Sequence, residues 1–305
     1  MNCLVLGGNG FIGSHVVDQL LLADHWIRVY DLGDNPFRSQ IPGVEYIYGE
    51  LGDRKSIRVA LRDMDVVFHL IGTTLPKTSN QDPVFDVQSN VIGTLGLLLE
   101  CIEASVSKIV FVSSSGTIYG IPQSTPTDES HPTNPICSYG ITKRTIEMYL
   151  GLFHHLYGLE YAVLRCSNAY GERQNPQGQQ GAIAVFLRKV ARGEPIVVWG
   201  DGRVTRDYIY VQDVANALVL AANTNTKPQI FNISSGIGTS LNQIIELIFT
   251  VTGRTAEVRY EDARIVDVPI SIVDSTLAEK YLGWHARVDL ETGIGRTWNW
   301  LQAVL

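Results

Sequence analysis

The chain alternates short apolar runs with longer stretches in which apolar residues recur every three or four positions. The short runs are continuous and rich in β-branched residues, which is typical of strands in a parallel sheet that is buried on both faces. We predict strands at residues 3–6, 26–30, 44–48, 66–71, 109–112 and 161–164, and helices at residues 11–23, 56–61, 86–104 and 138–157. Strands and helices in this order form βαβ units, so the predicted fold is α/β with a doubly wound parallel sheet.

The regular pattern weakens after residue 166. We predict a loop rich in glycine and glutamine at 171–181, a helix at 182–192, a strand at 196–199 and an amphipathic helix at 290–301. Residues 206–222 and 230–234 have the pattern of a strand, a helix and a strand that return to the large sheet. We therefore expect a Rossmann domain at 1–166 with 206–234 returning to it, and a smaller α/β carboxy-terminal lobe at 167–205 and 235–305. Such a lobe would close over the strand ends where open α/β folds bind ligands.

Composition narrows the function classes. The 305 residues carry a formal net charge of −7 with scattered Lys and Arg, so we expect no nucleic-acid surface. The chain enters its first strand without a basic or apolar leader, and we see no apolar run near the ~18 residues of a membrane span. We expect a cytoplasmic protein that does not enter the membrane. Its four cysteines lack close Cys-x-x-Cys spacing, which favours reduced thiols and predicts no metal site.

A glycine motif follows the first predicted strand and opens the first helix. Gly8, Gly10 and Gly13 have the spacing G-x-G-x-x-G, and Gly7 adds a glycine at the loop entrance. In that context the backbone can approach a pyrophosphate beside the helix N-terminus. Asp31 ends the next strand, where a carboxylate binds ribose hydroxyls and repels a ribose phosphate, so NAD is favoured over NADP. The alternative is a tight turn with a surface aspartate.

Tyr139 and Lys143 are four positions apart, so on a helix they share one face. A serine cluster at 113–115 ends the preceding strand and can meet the tyrosine hydroxyl. The Tyr-x-x-x-Lys spacing alone is weak, and a serine-rich turn is common loop chemistry. The order of the glycine loop, the serine cluster and this pair predicts a dinucleotide site beside a polarised phenol.

With these motifs the chain resembles the extended short-chain dehydrogenase/reductase superfamily and, within it, the UDP-sugar (UDP-glucose/UDP-N-acetylglucosamine) 4-epimerases. Further segments that carry the resemblance lie at 49–51, 69–72, 90–94, 165–171, 199–202, 206–215 and 264–269. Glu50 departs from the pattern, because the family usually has Asp in its adenine-contacting pair. Without the resemblance, Arg206 beside Asp207 would be interpreted as a solvated ion pair.

The resemblance implies a role for each matching residue. It implies that Ser115, Tyr139 and Lys143 are catalytic. It places against NAD the residues Gly7, Gly10, Phe11, Ile12, Gly13, Asp31, Glu50, Leu51, Leu70, Ile71, Gly72, Asn90, Ser113, Tyr139, Lys143 and Cys166. It places against a UDP-sugar the residues Ser115, Gly116, Thr117, Tyr139, Asn168, Ala182, Ile183, Val197, Trp199, Arg206, Arg264, Asp267 and Ser271.

The implied reaction begins when Tyr139 takes the proton of the sugar 4-hydroxyl while NAD takes the hydride, which gives a 4-keto sugar. Because a free tyrosine has a pKa of about 10, we expect Lys143 and the cationic nicotinamide ring to stabilise the phenolate. Ser115 is followed by Gly116 and Thr117, where related dehydratases carry Asp-Glu and decarboxylases carry Glu. This departure favours an epimerase.

Ser271 occupies a position where the family's strict UDP-glucose members carry tyrosine. A small residue leaves room for an acetamido group, so we predict UDP-GlcNAc/UDP-GalNAc as substrates and UDP-Glc/UDP-Gal as a second pair. Alternatively, Ser271 begins a strand at 272–273 and faces away. Two competing hypotheses for the function are a UDP-glucuronate or dTDP-sugar epimerase, and a non-catalytic NAD(P)-binding regulator. Such regulators commonly lose the tyrosine or lysine of the pair, and this chain has both.

Within the predicted helices, residues 90–104 and 142–157 carry more apolar residues than one inward stripe needs. The resemblance implies that they pair with their copies in a homodimer through a four-helix bundle. Burial of both helices under the protein's own small lobe is the alternative.

Overall fold

The computed structural model of the chain describes residues 1–178, 180–227, 229–262 and 268–305. Its strands are β1 (Asn2–Leu6), β2 (Trp26–Asp31), β3 (Glu45–Tyr48), β4 (Val66–His69), β5 (Lys108–Ser114), β6 (Glu160–Cys166), β7 (Asn168–Tyr170), β8 (Ile196–Trp199), β9 (Thr205–Tyr210), β10 (Ile230–Ile233), β11 (Gly238–Ser240), β12 (Val258–Glu261) and β13 (Ile270–Ser271). Its helices are α1 (Phe11–Leu22), α2 (Arg54–Ala60), α3 (Pro83–Asp86), α4 (Gly93–Glu103), α5 (Ser115–Ile118), α6 (Ser138–Tyr157), α7 (Ala182–Arg192), α8 (Val211–Asn223), α9 (Leu241–Thr252), α10 (Thr276–Leu282) and α11 (Leu290–Val304). A π-helical segment, Val87–Ile92, joins α3 to α4 without a break.

The large sheet has seven parallel strands in the order β10-β6-β5-β4-β1-β2-β3. Both faces are covered, as their apolar composition requires. Residues of α1 and α8 form one hydrophobic core against the sheet, and residues of α2, α4 and α6 form a second core on the other face. The strand order reverses between β1 and β4, and such a switch point is where open α/β sheets bind ligands at the carboxyl ends of their strands. The predicted doubly wound fold is confirmed.

The smaller sheet differs from the sequence prediction in one respect. We expected the strand near residue 206 to return to the large sheet, but β9 pairs with β7, β11 and β13 in a separate sheet. Only α8 and β10 return, with β10 beside β6. The pattern could not separate these cases, because β9 is apolar on both faces: Ile209 packs into the core with α8, and Tyr208 and Tyr210 pack into a third core with α7, α9 and α11.

The continuous helix Pro83–Glu103 bears on the expectation that the chain has no membrane span. It is 21 residues long with a mean hydropathy of 1.2, so by length and composition it could cross a membrane. Half of its most apolar window is buried inside the protein, where it packs against α2 and α6. A core helix of a globular domain passes the same test of length and composition.

Candidate active site

The glycine loop between β1 and α1 has no room for side chains. A Cβ atom added to Gly13 would lie 2.0 Å from the carbonyl oxygen of Gly7, and one added to Gly8 would lie 2.9 Å from the methyl groups of Val29. Gly7 has a φ of +81°, which strongly favours glycine. Gly10 precedes α1 without a side-chain cap, so the N–H groups of the first turn stay available to an anion. This bare backbone fits the pyrophosphate of a dinucleotide.

Asp31 lies beside this loop at the end of β2. Its carboxylate accepts hydrogen bonds from the backbone N–H groups of Asn9 (2.9 Å) and Leu32 (2.8 Å). Burial raises the pKa of Asp31, and these two N–H groups oppose that effect. The structure thus brings together the loop and the carboxylate that the sequence predicted, and the pair fits the diphosphate and ribose of NAD.

The remaining residues that the sequence placed near NAD lie in several parts of the fold. Leu70 and Ile71 follow β4 and lie next to Gly7, because a Cβ atom on Gly7 would approach the Ile71 nitrogen to 3.2 Å. Leu51 is buried in the core beneath α4, whereas Glu50 is exposed and its carbonyl accepts from a buried tyrosine hydroxyl. The other members of the predicted set lie on α1, between β4 and α4, or at the ends of β5 and β6, and they are Phe11, Ile12, Gly72, Asn90, Ser113 and Cys166.

Tyr139 and Lys143 lie in the first two turns of α6. The Lys143 ammonium donates to the carbonyl of Val112 (2.9 Å) and lies 5.7 Å from the centroid of the Tyr139 ring. Ser115 begins α5 directly after β5, and its hydroxyl donates to the carbonyl of Cys166 at 3.2 Å. Among the described residues, the Tyr139 hydroxyl has no hydrogen-bond partner, so the predicted contact between it and the serine cluster is not formed in the protein alone.

Burial controls the charges of this pair. It raises the pKa of the Tyr139 phenol above its usual range, and nearby acidic groups, Cys166 first, act in the same direction. Burial also lowers the pKa of Lys143 to about 8, although its acidic neighbours favour the charged form. The protein alone therefore does not provide the lowered tyrosine pKa that the sequence analysis expected.

The first turn of α6 is held by a segment that sequence reasoning missed. Cys137, at the N-cap, makes no side-chain hydrogen bond to the helix. Instead, the N–H of Ser138 donates to Asn80 Oδ1 (2.9 Å), and the N–H of Tyr139 donates to Ser79 Oγ (3.0 Å). The polar composition of residues 73–82 indicates a loop. It does not indicate that this loop contacts a helix about 60 positions away.

A buried ion pair lies next to Lys143 on α6. Arg165 donates to both carboxylate oxygens of Glu147, at 3.0 and 2.7 Å. The hydroxyl of Ser113 donates to Glu147 at 2.7 Å, so this predicted cofactor residue uses its side chain inside the core. Tyr119 accepts a further hydrogen bond from Arg165 at 3.0 Å.

The small sheet carries residues that the sequence placed against the substrate. Ser271 on β13 is the register partner of Arg206 on β9, and Asn168 on β7 is the partner of Tyr208. Register partners on parallel strands project to the same face, as do residues two apart on one strand. Ser271 therefore shares a face with Arg206, and the strand is Ile270–Ser271 rather than 272–273.

Arg206 and its neighbour Asp207 do not behave as a surface pair. Arg206 Nη1 donates to the carbonyl of Val268 at 2.6 Å. Asp207 is 1% exposed and accepts hydrogen bonds from Ser167 Oγ and the backbone N–H of Ser235. The interpretation as a solvated ion pair is therefore wrong.

Other predicted substrate residues lie around the same region, with different availability. Ala182 and Ile183 begin α7, but the Ile183 side chain is buried in the third core. Thr117 has a buried hydroxyl oxygen without a hydrogen-bond partner among the described residues, and Gly116 precedes it on α5. Val197 and Trp199 lie on β8. Arg264 and Asp267 lie outside the described residues.

The connection between α5 and α6 touches the segment that follows β13. Thr127 forms an isolated parallel bridge with Val273. Its N–H donates to the carbonyl of Ile272, and its carbonyl accepts from the N–H of Asp274, both at 2.9 Å. The connection between α5 and α6 is thus tied to the residues that directly follow Ser271.

Comparisons with known proteins agree with this geometry. Residues 3–234 match the protein family described as the NAD dependent epimerase/dehydratase family. A UDP-glucose 4-epimerase of Mycolicibacterium smegmatis is 34% identical over 304 residues, which cover 97% of each chain. The crystal structure of a UDP-glucose 4-epimerase with UDP-glucose from Thermotoga maritima is 39% identical, with a TM-score of 0.95 and coverage of 100% of this chain and 99% of that one. A UDP-N-acetylglucosamine 4-epimerase from Methanobrevibacter ruminantium is 31% identical, with a TM-score of 0.94 and the same coverage. The predicted family is confirmed: the chain belongs to the NAD dependent epimerase/dehydratase family, and its cofactor is NAD.

Proposed function

We propose that the protein is a UDP-sugar 4-epimerase that interconverts UDP-GlcNAc and UDP-GalNAc and also accepts UDP-Glc and UDP-Gal. The observation that carries the choice of sugar is the register of Ser271 with Arg206 on neighbouring strands. The full-length similarity to named 4-epimerases of both substrate classes supports the reaction.

The diphosphate has two sources of positive potential in the described residues. Arg206 supplies a guanidinium group, which suits phosphate oxygens. α7 begins after Gly181 with no side-chain cap, so its first N–H groups and the positive end of its dipole are available. In this arrangement Ala182 and Ile183 contribute backbone, which is consistent with the burial of the Ile183 side chain.

At the reacting carbon, Tyr139 takes the proton of the 4-hydroxyl, and Ser115 hydrogen-bonds the same oxygen. Bound NAD would supply a hydride acceptor for that carbon and a positive charge that favours the phenolate. Lys143 stabilises the phenolate while its own ammonium is charged. The 4-keto sugar then turns over while the nucleotide stays held, so that the hydride would return to the opposite face of the same carbon. Tyr139 gives the proton back to the 4-oxygen.

Replacing Tyr139 by Phe tests the proposed base. We expect kcat to fall at least about 100-fold, because general bases contribute ~10²–10⁴-fold. Bound NAD, read by absorbance after release, should stay at the wild-type level. Retention of more than about a tenth of the wild-type kcat would contradict the assignment.

The proposed sugar choice is tested with UDP-GlcNAc, UDP-Glc and UDP-glucuronate, whose products are identified by NMR. We expect the N-acetylated pair to interconvert and UDP-glucuronate to stay unchanged. Turnover of UDP-glucuronate alone would favour the uronate alternative, and no turnover of any of the three would favour a regulator.

Ser271→Tyr isolates the residue proposed to control the pocket. The added ring should slow the N-acetylated pair about 5- to 150-fold relative to UDP-Glc, because overpacking costs ~1–3 kcal/mol. Ser271→Ala is the matched control and should leave the ratio of the two rates unchanged. An equal loss on both sugar pairs, or none on either, would contradict the proposed role.

We also propose a homodimer through α4 and α6. The two helices and the π-helical segment that precedes α4 expose apolar side chains that the small lobe does not cover, namely Ile92, Leu99, Ile141, Met148, Leu152, Leu156 and Tyr157. Such an exposed apolar face is typical of a protein interface. Light scattering should give the dimer mass at micromolar concentration, and Met148→Glu should shift the protein towards monomer.

A further inference from the structure

Asp86 is a buried carboxylate that forms no ion pair with any of the described residues. It is 0% exposed at the end of α3. Its described hydrogen-bond partners are all neutral: Thr74 Oγ1 and Ser138 Oγ donate to it at 2.6 Å, and Asn90 Nδ2 donates at 2.9 Å. Burying a carboxylate costs free energy that several hydrogen bonds must offset. A side chain that only filled space here would not need a carboxylate.

The partners of Asp86 come from three segments that meet at the catalytic helix. Thr74 lies in the loop after β4, Asn90 lies in the π-helical segment, and Ser138 is the first residue of α6. Ser138 directly precedes Tyr139. The loop after β4 also supplies Ser79, whose hydroxyl accepts the N–H of Tyr139.

We propose that Asp86 is a positioning residue that fixes the first turn of α6, and with it Tyr139, against the loop after β4. The proposal rests on the proposed function, because it assigns Tyr139 the role of base. The link is direct: one carboxylate oxygen holds the residue before Tyr139, and the other holds Thr74 and Asn90. Proton transfer needs the base to be placed precisely. A displacement of the base by about 1 Å lowers the rate about 100-fold.

The charge of Asp86 gives the proposal a second signature. The groups that act on the phenol are Asp86 and the thiols of Cys166 and Cys137, which raise the pKa of Tyr139, and Lys143, whose ammonium lies near its ring. Removing the Asp86 charge therefore lowers the pKa of Tyr139. The acid side of the kcat/KM profile, where the phenol must lose its proton, should move to lower pH. A purely structural role would leave that side unmoved.

The test compares Asp86→Asn and Ser138→Ala with Glu100→Gln. Glu100 is the matched control, because it is a covered carboxylate on α4 whose partners are two exposed arginines. We expect kcat of Asp86→Asn to fall about 10- to 100-fold with KM within about 3-fold, and the acid limb to move to lower pH. Ser138→Ala, which keeps the charge, should lower kcat about 3- to 10-fold without moving that limb. Unchanged kcat in both variants, or a loss equal to that of Glu100→Gln, would overturn the proposal.

Hydrogen exchange separates this proposal from the proposed function. The amides of the first turn of α6 should exchange faster in Asp86→Asn and Ser138→Ala than in the wild type or Glu100→Gln. Unchanged exchange overturns the positioning role even if the wild type epimerises nucleotide sugars. If the two variants exchange faster but the wild-type protein turns over no nucleotide sugar, the positioning role stands and the proposed function is refuted.

Discussion

Removing Glu147 should destabilise the protein more than removing any exposed carboxylate. The Glu147 side chain is 0% exposed and the Arg165 side chain only 3% exposed. In Glu147→Ala the Arg165 guanidinium stays buried beside Tyr119 and loses both bonds to its counter-ion. The Ser113 hydroxyl loses its acceptor as well.

The size of the loss follows from that burial. Breaking a buried ion pair by removing one partner costs about 3–5 kcal/mol, because the remaining charge is uncompensated. Arg144, which lies 3.3 Å from Glu147 and is 33% exposed, adds little, since water screens it. Against a total stability of about 5–15 kcal/mol, the variant should keep between almost none and about four fifths of its free energy of unfolding.

Urea unfolding followed by circular dichroism measures the loss. Glu147→Leu combined with Arg165→Met should recover most of it, because replacing a buried pair by apolar residues is often neutral. Glu100→Gln is the control, since its arginine partners are 55% and 66% exposed and stay hydrated. A cost below about 1 kcal/mol for Glu147→Ala would refute the reasoning, because it would mean that Arg165 reaches water or another acceptor.

Three further outcomes follow from the site and its surroundings. The kcat/KM value should fall as pH rises through about 8, because the Lys143 ammonium that stabilises the phenolate loses its proton there; a flat profile to pH of about 9 would contradict this. Gly13→Ala should lose bound NAD, since its Cβ would lie 2.0 Å from the Gly7 oxygen, and unchanged cofactor content after gel filtration would argue otherwise. Burial lowers the pKa of His69 to about 3 and of His15 to about 4, so below pH of about 6.5 only the unfolded chain takes up these protons. The free energy of unfolding should therefore drop by roughly 3 kcal/mol per histidine between pH 7 and pH 4. His69→Gln should lose its share of that dependence in urea titrations at both pH values.

The sequence predicted features that depend on local spacing. The glycine loop and the pair of Tyr139 and Lys143 each lie within one strand-to-helix turn or on one helix, so spacing along the chain determines their geometry. The order of the βαβ units predicted the large sheet for the same reason. Asp31 was found because the end of the second strand is brought beside the loop in every fold of this kind.

Contacts between residues far apart in the chain could not be predicted from the sequence. Nothing in the residues around Ser113 indicates that its hydroxyl binds Glu147, which lies 34 positions away. The cap of α6 by Ser79 spans 60 positions and depends on the path of one loop. The strand at Arg206 was assigned to the wrong sheet. Both of its faces are apolar, and this pattern does not indicate which elements pack against each face.

The bridge between Thr127 and Val273 has a consequence for how new substrate preferences evolve. A mutation that repacks the chain near Ser271 also shifts Ile272, whose carbonyl holds Thr127, and Thr127 belongs to the connection that joins α5 to α6. If Ser271 lines the sugar pocket as proposed, substitutions that change the sugar preference will depend on the sequence of this connection. A chimera that takes residues 270–274 from a relative with another sugar preference should also take residues 121–136 from the same parent.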